Sequence, residues 1–388
     1  MPSDGVIRRL LEAADRVSPA NVFTLVDHVC EALGADSGRL LVADYALRCL
    51  QHVDAGGAVG GPHQMAGTVP GRVFASGQIV VSESSPTVVT VPLLDGSDRI
   101  GVLELTYGVW DGRLPVHLDS ILNAFVMALV VKVRYSDVWA CARRSEAMSL
   151  PAEVQWALLP PLSCSTDQVS VGGILEPAYS IGGDSFDYAL NGGRLEFAIV
   201  DAIGRGMGAV LMSSAVINSL RNSRRAGTDL DGAYRNADRV VATQFGDFNY
   251  VTGQMGSIDL QTGHLTWVNA GHVPPILVRN NSYAGRLLCS PSMPLGLGGP
   301  VVQVATESLQ RGDRVLFYSD GITESRSPSN EFFGEDRLAD FLVRASLEQV
   351  SVSETARRLS RSLIEYVSAD LKDDATLLLI EYRGTPTV

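Results

Sequence analysis

The apolar residues change their spacing twice along the chain, and these changes limit the fold more than any other feature. Up to about Gly108, short apolar runs sit between turns containing Gly, Asp and Ser: "GRLLVADY", "ALRCLQHV", "GQIVVSE", "TVVTVPLL" and "RIGVLELTY". Such runs read as strands joined by hairpins, and Asp95-Gly96 in "LLDGSDRIG" is a hairpin turn signal. A helical pattern, "VFTLVDHVCEALG", leads into them. Over residues 115–159 the spacing becomes helical, without a glycine. Pro151 marks a break there, with a fresh helical start at 152–159. Beyond Ser163, strands are expected at 168–176, 195–200, 251–259, 264–269, 275–279, 315–318 and 376–382. Helices are expected at 208–225, 231–245, 335–348 and 352–369. Strand and helix do not alternate strictly, which argues against a doubly wound parallel sheet and for a layered α+β fold.

A chain of 388 residues suits two or three domains. The spacing divides it into a sheet-rich domain at 1–114, a helical linker at 115–160 and a mixed domain at 161–388. The linker reads equally as a dimer stem and as a helix packed on its neighbour. The net charge of −12 argues against wholesale binding to nucleic acid or anionic membranes. It suits carboxylates that divalent cations neutralise. Cys30, Cys49, Cys141, Cys164 and Cys289 are scattered without a CxxC pair, as expected of reduced packing residues in a cytoplasmic protein. The N-terminus lacks a signal-peptide core. The run at 121–133 is too short to span a membrane, and Asn123 and Lys132 interrupt it, so a buried helix is expected. "RGTPTV" reads as a frayed tail.

The chemistry concentrates in acids at strand ends of the third segment. Asp184 and Asp187 lie in "SIGGDSFDYAL", Asp201 follows "LEFAIV", Asp320 follows "RVLFYS", and Asp373 and Asp374 precede "ATLLLIEY". A strand aims an acid at its tip, and oxygen donors of this kind suit Mg²⁺ or Mn²⁺. One Asp before Gly is usually a turn. Several in one domain, with no competing His or Cys cluster, point to a two-metal hydrolase. "GGDSF" alone is also a near miss of the nucleotide-cyclase signature, but the later strand-end acids would then have no role. The run Gly204, Gly206 and Gly208 fits neither the dinucleotide fingerprint nor a P-loop, and reads as close packing at a helix start. His272 in "NAGHVPP" lacks a nucleophile partner and reads as a turn histidine.

Seven motifs then occur in order: "EVQWALLPPL", "LEPAYSIGGDSFDYAL", "FAIVDAIGRGMGAVLMSSAV", "WVNAGHVPPILV", "DRVLFYSDGITES", "FFGEDRL" and "DDATLLLIEY". Over residues 151–382 they resemble the bacterial PPM-type serine/threonine phosphatases of the sporulation stage II protein E class. The resemblance implies an α-β-β-α sandwich with two Mn²⁺ or Mg²⁺ ions between its sheets. It implies that Asp201 bridges both ions, that the Ala202 carbonyl contacts one, that Asp320 and Asp373 hold the second, and that Asp184 serves the first. Asp187 and Asp374 are secondary metal candidates. Relatives often have Gly-His-Gly where this chain has Gly204-Arg205-Gly206. Arginine is a poor proton donor but could hold phosphate bidentately. The implied activity is hydrolysis of a phosphoserine protein, an anti-sigma-factor antagonist. The alternative is a weak or inactive phosphatase fold that binds partners. Residues 1–114, in "FTLVDHVCEALGAD", "GRVFASGQIV" and "VPLLDGSDRIGVLELTY", are more distantly similar to a GAF domain, which implies equally a sensor for an unknown small molecule and a purely structural dimerising domain, and a homodimer is expected through the linker.

Overall fold

In "TVVTVPLL" the alternating Val89, Val91 and Leu93 all turn to one buried face, as the period of a half-covered strand requires. The computed structural model describes residues 2–57, 59–180, 182–368 and 371–384, with main chain only for 2–4. It falls into two units, Met1–Ala147 and Met148–Val388.

The first unit runs α1 (Pro2–Arg16), α2 (Leu25–Leu33), β1 (Ser37–Ala43), β2 (Cys49–Val53), β3 (Val59–Gln64), α3 (Val69–Ser76), β4 (Val80–Val81), β5 (Thr87–Asp95), β6 (Asp98–Tyr107), α4 (Leu118–Lys132) and α5 (Val138–Ala142). Its strands form one antiparallel sheet in the order β3-β2-β1-β6-β5-β4. Leu10, Phe23, Val29, Ile121 and Phe125 from the helices pack on one face of the sheet. Val73 and Phe74 of α3 join Leu41, Leu50 and Val102 on the other.

The segment at 115–160 is shared between the units. Its first half, α4, buries Ile121, Leu122, Phe125 and Leu129 in the first unit's core, so the run at 121–133 is a packed helix. A 3-10 turn at Val133–Tyr135 and the non-helical residues 143–149 interrupt the helical run. The second half, α6 (Leu150–Leu158), starts afresh in the second unit, with Pro151 in its first turn and the Ser149 hydroxyl accepting from the Ala152 amide at 3.3 Å. Among the described residues no helix is long and apolar enough to cross a membrane.

The second unit continues with β7 (Ser163–Ser165), β8 (Val169–Glu176), β9 (Asp184–Asn191), β10 (Arg194–Ala202), α7 (Met207–Arg225), α8 (Leu230–Phe245), β11 (Val251–Asp259), β12 (His264–Ala270), β13 (Ile276–Arg279), β14 (Ser282–Arg286), β15 (Val304–Ser308), β16 (Arg314–Tyr318), α9 (Asp320–Thr323), α10 (Glu335–Leu347), α11 (Val352–Val367) and β17 (Ala375–Tyr382). Two sheets result, β15-β12-β11-β10-β9 and β14-β13-β16-β17-β8-β7. They pack face to face, with Phe197 and Phe317 rings 4.5 Å apart. Gly173 on β8 permits the approach, because a Cβ there would lie 2.3 Å from the Phe186 ring. α7 and α8 cover the outer face of the first sheet, and α10 and α11 that of the second. The layers are α-β-β-α, the α+β arrangement expected.

Asp184 opens β9, which pairs with β10 along its whole length, and Gly183 bends the chain just before it. Two expectations need correction. Gly204, Gly206 and Gly208 do not allow close packing, since a Cβ on any of them would meet nothing within 4 Å. Gly204 and Gly206 instead serve φ values of 93° and 71° in the loop entering α7. The tail is not frayed at its start, because the Arg383 amide donates to Gln168 O at 2.8 Å and its Nη1 donates to Ser165 Oγ at 2.7 Å. Residues 385–388 of that tail, and Ile181 of "SIGGDSFDYAL", lie outside the described residues.

Candidate active site

In a strand, successive side chains face opposite ways, so residues three apart cannot share a face. On β9 this separates the two acids of "GGDSFD". Asp184 shares its face with Phe186, which packs toward Gly173 of the opposing sheet. Asp187 faces α7, where Arg221 donates to its Oδ1 from Nε and Nη2 at 3.0 and 2.7 Å, and Arg224 Nη1 donates to Oδ2 at 2.9 Å. Both oxygens of Asp187 are thereby neutralised on the far side of the sheet from Asp184. Its geometry is that of a buried ion pair.

Asp201 lies opposite Asp184 in the β9–β10 register, at the end of the strand and on the inner face. The opposing sheet brings its own acids to the same end. Asp320 follows Ser319 at the end of β16, and Asp373 and Asp374 immediately precede β17. The two segments meet at Gly321, where a Cβ would lie 1.8 Å from the Asp374 carbonyl oxygen. Ser319 Oγ also accepts from the Thr376 amide at 3.0 Å. Asp374 reaches across to the first sheet, its Oδ2 accepting from the Asp184 amide at 3.1 Å. The Asp184 carbonyl is held by Gln155 Nε2 of α6 at 2.6 Å. Ala202 ends β10 with its amide donating to Gly183 O at 3.2 Å.

The structure thus gathers Asp184, Asp201, Asp320, Asp373 and Asp374 and excludes Asp187. Burial, then the charges of Asp201 and Asp374, push the Asp184 carboxyl well above the usual range. Burial, followed by Asp320 and Asp373, raises Asp201 to about 6. Burial above all, then Asp373 and Asp201, raises Asp374 to about 7. Asp320 is raised by burial and by Asp373. Asp184 Oδ2 and Asp374 Oδ1 are buried with no hydrogen-bond partner among the described residues. An oxygen-only donor set with orphaned buried oxygens and mutual repulsion is the chemistry a hard divalent cation relieves. As the side chains stand, no three His, Cys, Asp or Glu groups among the described residues close on one point. One carboxylate is drawn aside: Asp373, largely exposed, lies 3.7 Å from the Arg205 guanidinium.

These shifts fix the sign of a pH effect. A carboxyl raised in the fold stabilises it below the unfolded value near 4, and that stability is lost as pH rises through the folded value. In EDTA the unfolding temperature should therefore fall by several degrees between pH 5 and pH 8, the window set by Asp201 and Asp374. Excess Mn²⁺ should flatten the slope. Calorimetric scans at matched ionic strength check this.

His272 ties the two sheets together at this end. Its Nε2–H donates to Tyr318 O at 3.0 Å, and Nδ1 pairs with Thr252 Oγ1 at 3.0 Å. Thr252 is the β11 neighbour of Asp201, and Tyr318 is two residues before Asp320. Asn269 brackets the turn, accepting from the His272 amide at 2.7 Å and donating to its carbonyl at 2.9 Å. Burial holds the imidazole neutral, pushed down to about 4. The sequence offered no partner for His272, because Thr252 and Tyr318 reach it only through sheet packing. Replacing His272 with Phe should cost ~2–4 kcal/mol through two stranded polar groups, read as a lower urea midpoint.

Residues 191–383 match the family described as Stage II sporulation protein E (SpoIIE). Protein IcfG of Synechocystis sp. is 23% identical over 329 residues, covering 76% of this chain and 51% of the relative. The chain thus spans about half the length of that protein. Phosphoserine phosphatase RsbU of Bacillus subtilis is 23% identical over 244 residues, 61% of this chain and 70% of RsbU. Among solved structures, the SiaA-PP2C domain of Pseudomonas aeruginosa superposes with a TM-score of 0.51 at 18% identity, covering 60% of this chain and 94% of that one, a likeness of fold.

Proposed function

Because its C-terminal unit belongs to the stage II sporulation protein E family, we propose that the protein is a metal-dependent phosphoprotein phosphatase acting on phosphoserine or phosphothreonine. The single observation that carries this reading is the inward-facing acid cluster, in which Asp184 Oδ2 and Asp374 Oδ1 are buried without hydrogen-bond partners among the described residues and the charges repel. Asp184, Asp201, Asp320 and Asp373, with the Ala202 carbonyl, are the proposed donors for two Mn²⁺ or Mg²⁺ ions, with Asp374 in support. Such ions supply positive charge for a phosphoryl oxygen and make water more acidic.

The chain's own residues position this cluster. Gln155 and the β9–β10 pairing hold Asp184 and Asp201 opposite one another. Asp374 fixes the Asp184 amide from the other sheet. Arg205, on its glycine-flanked loop, is placed to exchange Asp373 for a phosphate oxygen pair. It serves as an anion clamp, since a guanidinium does not release its proton.

The substrate class is a phosphoserine protein, in keeping with the relative phosphoserine phosphatase RsbU, and the motif resemblance makes an anti-sigma-factor antagonist the proposed substrate. The first unit, one sheet between helices, is read as a GAF-like sensor for a small molecule. Met127, Val131 and Tyr135 are exposed at four-residue intervals along α4 and its 3-10 extension, and supply a face for a homodimer.

Phosphate release from a phosphoserine peptide should require Mn²⁺ and stop with EDTA. The Arg205–Asp373 contact favours a second reading, a phosphatase fold that only binds partners. Full inertness towards both peptide and p-nitrophenyl phosphate, at saturating Mn²⁺, would select it.

A further inference from the structure

A cleft of about 610 Å³ opens beside the acid cluster, and its lining begins with Asp320 and Asp373 and continues over Arg326, Leu371 and Lys372. That size falls among sites that enclose a substantial ligand. One wall is the loop between α9 and α10, which is built rather than loose. The Ser327 amide donates to Glu331 O at 2.9 Å, that of Phe333 to Ser325 O at 2.7 Å, and that of Gly334 to Thr323 O at 3.0 Å. Tyr366 of α11 pins the loop from outside, its hydroxyl donating to Phe332 O at 3.0 Å.

Arg326 lies on this wall, half-buried. Its guanidinium carbon sits 3.7 Å from the centre of the Phe332 ring. Nη1 donates to Asn330, at 3.1 Å to the main-chain oxygen and 3.3 Å to Oδ1. Stacking and these contacts hold the guanidinium plane. Nε and Nη2 make no hydrogen bond among the described residues, so a preset N–H fork is left over. That fork matches a carboxylate side on. Lys372, exposed beside Asp373, adds a positive charge at the acid end. Glu324 is the one acid of the lining outside the cluster among the described residues.

We propose that this cleft docks the polypeptide carrying the phosphorylated residue, and that Arg326 selects substrates with an acidic side chain close to the phosphoserine. The inference rests on the phosphatase reading, which puts the phosphate at the Asp320 and Asp373 end. The cleft then takes the neighbouring residues, and the fork of Arg326 takes one of their carboxylates.

The test uses the full chain with Mn²⁺ and three phosphoserine peptides that differ only in flanking glutamate, glutamine or lysine. Phosphate release and the anisotropy of fluorescein-labelled copies are both read. The glutamate peptide should be preferred over the glutamine peptide about tenfold in kcat/KM, mainly through KM, the size one charge-assisted pair supplies. Arg326→Ala should reduce that ratio to near one. Arg326→Glu should invert it in favour of the lysine peptide, which a misfolded variant could not do. Equal use of all three peptides by the wild type, or an unchanged ratio in both variants, overturns the proposal. If the wild type hydrolyses neither the peptides nor p-nitrophenyl phosphate, the catalytic reading fails, and the anisotropy preference alone decides the docking inference.

Discussion

Asp201→Asn and Asp320→Asn should each lower Mn²⁺-dependent phosphate release by on the order of 10³-fold while leaving the fold intact. Asp201 faces Asp184 across the β9–β10 ladder, and Asp320 enters from the other sheet, so each substitution removes one proposed donor from a different side of the cluster. Neither carboxyl is held by an arginine or lysine in an ion pair among the described residues. Burial and neighbouring acids raise both. A neutral amide of the same shape therefore relieves repulsion. In EDTA at pH 8 the variants should unfold no earlier than the wild type, and an activity loss with preserved melting separates a chemical role from a structural one. Retained activity in both variants would remove these acids from the site.

Asp187→Ala should do the reverse, costing stability without weakening metal binding. Asp187 is 3% exposed and accepts from Arg221 and Arg224, whose side chains are 18% and 16% exposed. Arg221 also donates from Nη2 to Leu158 O at 2.7 Å, so one cluster joins β9, α7 and the end of α6. Removing the carboxylate leaves two guanidinium groups with little access to water. Such a loss costs about 3–5 kcal/mol. In a unit of this size it lowers the unfolding temperature by on the order of 10 °C. Mn²⁺ affinity should stay within about twofold of the wild type, as the other face of β9 is untouched. A metal-ligand role for Asp187 predicts the opposite pair of results.

The contrast between Asp184 and Asp187 marks the limit of what the sequence reveals. β11 and β17 occupy Val251–Asp259 and Ala375–Tyr382, within a residue of expectation, because their apolar residues announce them. α7, α8, α10 and α11 show a helical period and capping residues such as Asp229 and Ser351. "GGDSFDYAL" has glycines and two acids, and nothing local marks a strand. It is extended because β10 pairs with it residue by residue, a contact made by the fold. Without that strand its parity is invisible, and Asp187 looks as good a ligand as Asp184. β3, "VGGPHQ", is missed similarly: glycine and proline are poor strand formers, tolerated here at a sheet edge. The order of strand-end acids was legible in the sequence. The choice between neighbours was not: Asp374 is buried against Asp184, while Asp373 lies exposed beside Arg205.

The central claim is that acids from two facing sheets form a divalent-cation centre. Isothermal titration of Mn²⁺ into the metal-depleted full chain tests it most directly. Two ions per chain are predicted for the wild type, with binding at one or both sites lost in Asp201→Asn. No binding to the wild type, or the same isotherm in Asp201→Asn and Asp320→Asn, would contradict it.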